Sequence, residues 1–352
     1  MKTHLHSDKK NIMRTAVNKI IVYLLLLLPF LGSCIGEGDL DCDQSEFGSE
    51  QSLTLRFLHN INPDYSNTIR DVIDYIDLYL YKESGEFYQT VHLTKDELEE
   101  TNYTYTTRLD PGTYRLATWM NAGEAYNIED HEEIGTARMR VICNGERELS
   151  ENTPAVFYGY DDKLYDIDYE NQDVVFTISK HPVEKTINFA KNTNHIEVVA
   201  KFDRVLIEGT ELDVRIVGPN GICNFVNRYV DTCPDYLYYP HTTTTQQHDL
   251  DPLFGYRYYY SHITNFTTQR LWQGDELELV ITYTNYSGYP DELARFKLTD
   301  ELIMQNPLYN NNYQLERYDN YRIVFYFDYD RAFTLTEITV NDWVLINQEQ
   351  DL

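Results

Sequence analysis

The feature that most limits the fold is an apolar residue at every second position, in one short run after another. Leu53, Leu55 and Phe57 alternate with Ser52, Thr54 and Arg56. Ile76, Leu78 and Leu80 form one face of the next run, with Tyr75, Asp77, Tyr79 and Tyr81 on the other. A period of two belongs to a strand with one covered face, because successive side chains point to opposite sides. Ser84-Gly85 reads as a hairpin turn into Phe87–Leu93. Thr94-Lys95-Asp96-Glu97 has the capping-box spacing that opens one short helix. Tyr103–Leu109 is a further strand. It ends in an Asp110-Pro111-Gly112 turn, where Pro fixes φ and Gly accepts a positive one. Tyr114, Leu116, Thr118 and Met120 continue on one face, and Val174, Phe176 and Ile178 mark a strand further on. At least six strands and one short helix are what an antiparallel sandwich would give.

A second set starts after His181-Pro182. Ile196, Val198, Ala200 and Phe202 alternate with Glu197, Val199 and Lys201. Leu212–Val217 follows, then a Gly218-Pro219-Asn220-Gly221 turn. Residues 227–269 read as loop, with Thr242–Thr245 and dense tyrosines. Leu277, Leu279, Ile281 and Tyr283 alternate again. Thr299–Gln305 reads as a second short helix, ended by Asn306-Pro307. Tyr321, Ile323, Phe325 and Phe327 form a strand, and Ile338 and Val340 start the last, which runs into Trp343. The economical reading is all-β: two successive antiparallel β-sandwich domains, 51–190 and 191–352, with one or two short helices. Their boundary falls within 180–193. A hydrophobic content of 42% is too high for a disordered chain, and 31 tyrosines favour β-structure.

Ahead of the sandwiches stands a different kind of sequence. A basic stretch (Lys2, Lys9, Lys10, Arg14, Lys19) precedes an apolar run from Ile20 to Leu31. The run is too short for a membrane-spanning helix, which takes about 20 residues, so 1–33 reads as a signal peptide. It ends in Leu31-Gly32-Ser33-Cys34, small residues before a cysteine that supplies a thiol for lipid attachment. That is the lipobox pattern of bacterial lipoproteins; the alternative is an ordinary secretory signal with a chance cysteine. Translation from Met13 would leave a conventional short basic region. Residues 34–50 are acidic and contain Gly, as in a flexible tether.

Removing 1–33 leaves about 319 residues, enough for two ordinary domains. The formal charge of −28 disfavours nucleic acid and anionic lipid surfaces as partners, and solubility outside the cell accounts for it. An extracytoplasmic address permits disulfides. With Cys34 acylated, Cys42, Cys143, Cys223 and Cys233 remain, and Cys223 and Cys233 are close enough in sequence to pair across a loop; two buried free thiols are the alternative. There is no Cys-x-x-Cys, so zinc and thioredoxin-type chemistry lack support.

Catalytic motifs are absent: no nucleophile elbow, phosphate loop, dinucleotide fingerprint or His-Glu-x-x-His. His131-Glu132-Glu133 lacks the second histidine that zinc needs. Asp39, Asp41 and Asp43 fit solvation of the tether better than a calcium loop, and Asp328 and Asp330 fit a strand end better than a metal. A pair of glycosidase carboxylates would be lost among 57 acidic residues. The reading is therefore non-enzymatic, without metal or cofactor. Tyr236, Tyr238 and Tyr239 cluster, as do Tyr256, Tyr258, Tyr259 and Tyr260. Such rings serve interfaces and sugar platforms, or simply cover sheet edges.

Taken in order, these pieces resemble the fimbrial anchor subunits of the Bacteroidia (FimB-like minor subunits of the type V pilus). The likeness is carried by the Cys34 lipobox with its acidic follow-on, Leu53–Leu58, and Tyr75–Tyr81 running into Gly85 and Phe87. Leu109-Asp110-Pro111-Gly112-Thr113-Tyr114 with Trp119 is its most telling piece. Lys191-Asn192-Thr193-Asn194-His195-Ile196, Arg270-Leu271 and Trp343 carry it through the second half. The acidic segment also resembles the one behind the lipidated cysteine of many surface-exposed lipoproteins of that group. The resemblance implies two transthyretin-like sandwiches, lipid on Cys34 at the outer membrane, and a fimbrial stalk subunit as partner. The protein would attach or cap a fimbria by docking, with strand complementation as one mode. Cys223, Cys233 and the Tyr-rich 227–269 have no place in that pattern. A surface glycan-binding lipoprotein is the alternative. Only nine residues follow Trp343, and the last six are polar or charged except Leu352. The expectation is a chain that receives a strand and does not donate one.

Overall fold

Each alternating run becomes a strand, and partners distant in sequence knit the runs into sheets. The computed structural model describes residues 51–165, 174–203, 206, 210–230, 232–248, 259–328 and 332–347. They belong to one compact unit, Ser49–Leu352. Cys34, Cys42, the apolar leader and the acidic tether lie outside the described residues.

In the first half, strands β1 (Ser52–Ile61), β2 (Tyr75–Lys82), β3 (Phe87–Thr94), β4 (Thr104–Arg108) and β5 (Gly112–Met120) come first. Then come β6 (Tyr126–Glu129), β7 (Arg138–Val141), β8 (Glu148–Leu149), β9 (Phe157–Asp161), β10 (Val174–Ile178) and β11 (Val183–Lys191). The second half begins with β12 (Thr193–Phe202), β13 (Glu211–Gly218), β14 (Ile222–Asn224), β15 (Tyr236–Tyr238), β16 (Thr242–His248) and β17 (Tyr259–Gln269). It closes with β18 (Glu278–Thr284), β19 (Pro290–Lys297), β20 (Asn320–Asp328), β21 (Thr334–Val340) and β22 (Trp343–Asn347). Among the described residues the helices are few and short, and the fold is an all-β sandwich.

The first sheet runs β3-β2-β5-β9-β11-β1-β4, with β10 added to β5. Leu53, Leu55, Phe57, Ile76 and Leu78 are fully buried, as the alternation requires. They pack with Phe157, Phe176, Ile187 and Phe189 in one cluster made only of first-half residues. Burying each such side chain stabilises by about 1.5–3 kcal/mol. Gly85 makes the β2–β3 turn at φ +94°, where a Cβ would be strained. The capping box is present: Thr94 accepts from the Glu97 amide, and the Glu97 carboxylate accepts from Thr94 N at 2.8 Å.

Two sheets form the second half, β16-β17-β12-β20-β21-β22 and β19-β18-β13-β15-β8. The last strand of the latter comes from the first half, and a small β14-β7-β6 sheet also mixes the two. Around the expected boundary the chain runs as β11 in the first sheet, passes Asn192, and continues as β12 in the next. Most pairings are antiparallel, but β1–β11, β12–β20 and β15–β8 are parallel.

One expectation is corrected. Residues 227–269 are not simply a loop, since they contain β15, β16 and β17. β17 pairs with β12 from Thr193↔Gln269 to Phe202↔Tyr260. Its inward face carries Thr264, Phe266 and Thr268, all buried, so a single phenylalanine between threonines stands where an apolar stripe would be expected. Thr264 stays satisfied there by donating its hydroxyl to Val198 O at 3.2 Å.

Candidate functional site

Two tyrosines of the expected loop are core. Tyr236 is fully buried and Tyr238 nearly so. Tyr238 Oη donates to Asn220 Oδ1 at 2.8 Å, and Arg140 Nη1 donates to Tyr236 Oη at 3.1 Å. A Cβ on Gly221 would lie 2.4 Å from the Tyr236 ring, so only glycine fits beside it. Tyr256 and Tyr258 lie outside the described residues. Exposed tyrosines occur elsewhere: Tyr286 and Tyr289 stand out at the tip of the β18–β19 hairpin.

Cys143, Cys223 and Cys233 are free thiols. Burial pushes Cys223 up to about 12 and raises Cys233 as well, so both remain protonated and poorly nucleophilic at neutral pH. Among the described residues no group of three or more His, Cys, Asp or Glu could hold a metal ion. Nor is any helix there long and apolar enough to cross a membrane. Asp328 ends β20, and His131 packs its ring edge-on to Phe87 at 5.3 Å.

What the structure does assemble is a buried polar seam between the two halves. Tyr160, on β9, donates to Glu316 Oε1 at 2.6 Å, and Glu316 also pairs with the Arg270 guanidinium. Asn227 Nδ2 donates to Tyr160 Oη at 2.7 Å and to Asn192 Oδ1 at 3.0 Å; Asn192 Nδ2 returns a bond to Asn227 Oδ1 at 2.5 Å. Arg270 also donates to the Asn227 carbonyl and lies 4.2 Å over the Trp272 ring. Nearby, Arg317 donates to Asn60 O at 3.0 Å and stacks on Tyr65 and Tyr313. The apolar counterpart is Phe225. It is fully buried and sits 4.9 Å from the Tyr79 ring and 6.3 Å from Trp119. A cavity of about 20 Å³ in the seam, lined by Tyr126, Asn192, Asn227 and Gln269, is the size of one water.

Among the described residues the seam places no solvent-open nucleophile beside a base, and Arg270 and Glu316 neutralise each other. It ties segments of the two halves together through buried hydrogen bonds and an ion pair. Sequence reasoning singled out Asn192 and Arg270 as parts of a family pattern, and missed Tyr160, Asn227 and Glu316. None of those three sits in an alternating run, so periodicity carried no signal for them.

A family model for the fimbrillin-A associated anchor proteins Mfa1 and Mfa2 matches residues 39–349. No curated protein matches by sequence. Among solved structures, a candidate adhesin from Bacteroides thetaiotaomicron superposes with TM-score 0.67 at 18% identity, covering 84% of this chain and 98% of that one. A candidate polysaccharide-binding protein from the same organism gives 0.66 at 19% identity, covering 86% and 100%. The fimbrial anchor protein Mfa2 from Porphyromonas gingivalis gives 0.62 at 15%, covering 85% and 99%. At such identities these structures share the fold.

Proposed function

The chain belongs to the family of fimbrillin-A associated anchor proteins, and from that premise we propose that it fastens or caps a fimbria at the outer membrane. Lipid on Cys34 holds it in the membrane, on the cell surface. Residues 34–50 lift the folded part clear, and two sandwiches, 51–190 and 191–352, present a rigid face to a fimbrial stalk subunit. Docking is by protein contact, with strand complementation as one mode. The role is structural and non-enzymatic, with no cofactor.

One observation carries the reading: the family match starts at residue 39, just behind the Leu31-Gly32-Ser33-Cys34 lipobox. A single acyl chain binds membranes only marginally, whereas a multiply acylated cysteine is retained. The test is Cys34→Ala expressed in the native cell. The variant should leave the detergent-extractable membrane fraction, and fimbriae should appear in the medium. A variant that still sediments with membranes after a high-salt wash overturns lipid anchoring. Loss of the membrane fraction with fimbriae still attached overturns the fimbrial role.

A further inference from the structure

The outer strands of the sheets are not alike. β4 reads Thr-Tyr-Thr-Thr-Arg and β16 reads Thr-Thr-Thr-Thr-Gln-Gln-His. β19 opens with Pro290 and carries Asp291, Glu292, Arg295 and Lys297. Polar, charged and proline residues of this kind keep a free edge from pairing with other chains. β22 has none of these devices: it reads Trp-Val-Leu-Ile-Asn and lies at the end of its sheet.

Its apolar side chains belong to a core that stops short. Trp343 is paired with Val340, and Ile346 with Ile338. Paired residues on neighbouring strands share a face. Val340 and Ile338 are fully buried, yet Trp343 is 50% exposed and Ile346 38%. The core face of the sheet therefore continues onto β22 without a cover among the described residues. A groove of about 330 Å³ lies there, lined by Phe296 of β19, Ile338, Trp343, Leu345 and Ile346. Phe296 is the nearest contribution of the opposite sheet, whose own outer strand is β19.

We propose that the free edge of β22 receives an extended strand from a partner protein, with apolar residues at alternate positions and little acidic charge. This rests on the docking role proposed above and gives it an address. The row of backbone groups along an outer strand calls for a strand, since only an extended chain satisfies both N–H and C=O. Alternate apolar side chains of that strand fill the groove and cover Trp343 and Ile346. Charge selects against a second copy of this chain. Each copy carries a formal −28, Glu301 lines the groove, and Asp342 stands exposed beside β22. A strand bearing lysine or arginine at its ends is favoured.

The probe is a synthetic peptide of alternating valine and threonine with lysine at each end, added to the full chain in detergent. We expect Trp343 fluorescence to shift to the blue and the β22 amides to gain hydrogen-exchange protection. Binding should fall by about tenfold or more when alternate peptide nitrogens are methylated, when the lysines become glutamates, or in Ile346→Lys. Circular dichroism and melting of Ile346→Lys should match the parent. Val344→Cys with Thr339→Cys, oxidised across the β21–β22 pair, fixes β22 in place and should bind as well as its own reduced form. Equal binding by the methylated peptide or by Ile346→Lys overturns the proposal. Loss of binding in the cross-linked variant overturns it too, because β22 would then have to leave its sheet. A concentration-dependent dimer abolished by Ile346→Lys would make a second copy the occupant. The fimbrial stalk subunit is tested in parallel. If it binds the parent and Ile346→Lys equally, the edge assignment fails and the fimbrial role stands. If it binds neither while the peptide binds β22, the fimbrial role fails and the receiving edge stands.

Discussion

Leu53, Leu55 and Phe57 enter the first core as every second residue of one strand, whereas Asn192, Asn227 and Glu316 reach the seam from three unrelated segments. The two regions divide the work of holding the molecule together. In the first core many dispersion contacts share the load, and losing one side chain leaves the others in place. In the seam each group has a few specific partners, so removing one leaves polar groups short of a bond in a dry environment. Packing density fixes the first region, and directed hydrogen bonds between specific groups fix the second.

The sharpest way to break this contrast is by deletion. Glu316→Ala leaves the buried Arg270 without its carboxylate and should cost about 3–5 kcal/mol. Removing Arg270 as well should recover part of that loss. Leu78→Ala in the first core should cost about 2–5 kcal/mol, and a second distant core substitution should simply add. Urea denaturation of the single and double variants measures both. Strict additivity at Glu316 and Arg270 would mean that the seam is held like a core.

Acid titration probes the same contrast with a smaller effect. Burial in an apolar setting lowers His59 to about 4, against the pull of Asp319 and with the push of Lys191. Its unfolded form takes a proton near 6.5, so acidification from 6.5 to 4 favours unfolding, by on the order of 3 kcal/mol. Burial raises Asp275, in the second half, to about 6. The folded form then holds a proton that the unfolded form releases down to about 3.8, so acidification from 6 to 4 favours folding by a similar amount. In the parent the two oppose each other. His59→Gln should gain stability from pH 6 to 4, and Asp275→Asn should lose it. If both variants tilt the same way, the opposing assignment is wrong. Separate unfolding transitions for the two halves at pH 4.5 would show that the seam does not couple them.

The smallest effect expected is at the helix start. Thr94→Ala removes the capping box and should cost about 1 kcal/mol by thermal melting, without touching either region.

That cap, together with β1, β2, β12, β18 and β20, was legible because each follows a local rule. β9 was not legible. Phe157–Asp161 is buried at every position, and a strand covered on both faces has no alternation to read. Gly159 lies in it because a Cβ there would meet Ile187 at 2.4 Å, a constraint invisible without the neighbouring strand. β17 was hidden for the opposite reason, as threonines flank Phe266 on its inward face. The seam depends on which segments meet across the fold, and one sequence read locally does not contain that.

The placement of β1 carries a mechanical consequence. The strand nearest the tether is flanked on both sides, by β11 in parallel from Leu53↔Val183 and by β4 in antiparallel from Ser52↔Arg108. A pull entering at Ser52 and drawn along β1 loads these rungs side by side, in shear. They must then give way together, where a peeled edge strand would surrender them one at a time. If the lipid tether proposed above enters at this strand, it hands tension to the middle of a ladder, and drag on an attached filament meets its stiffest resistance there.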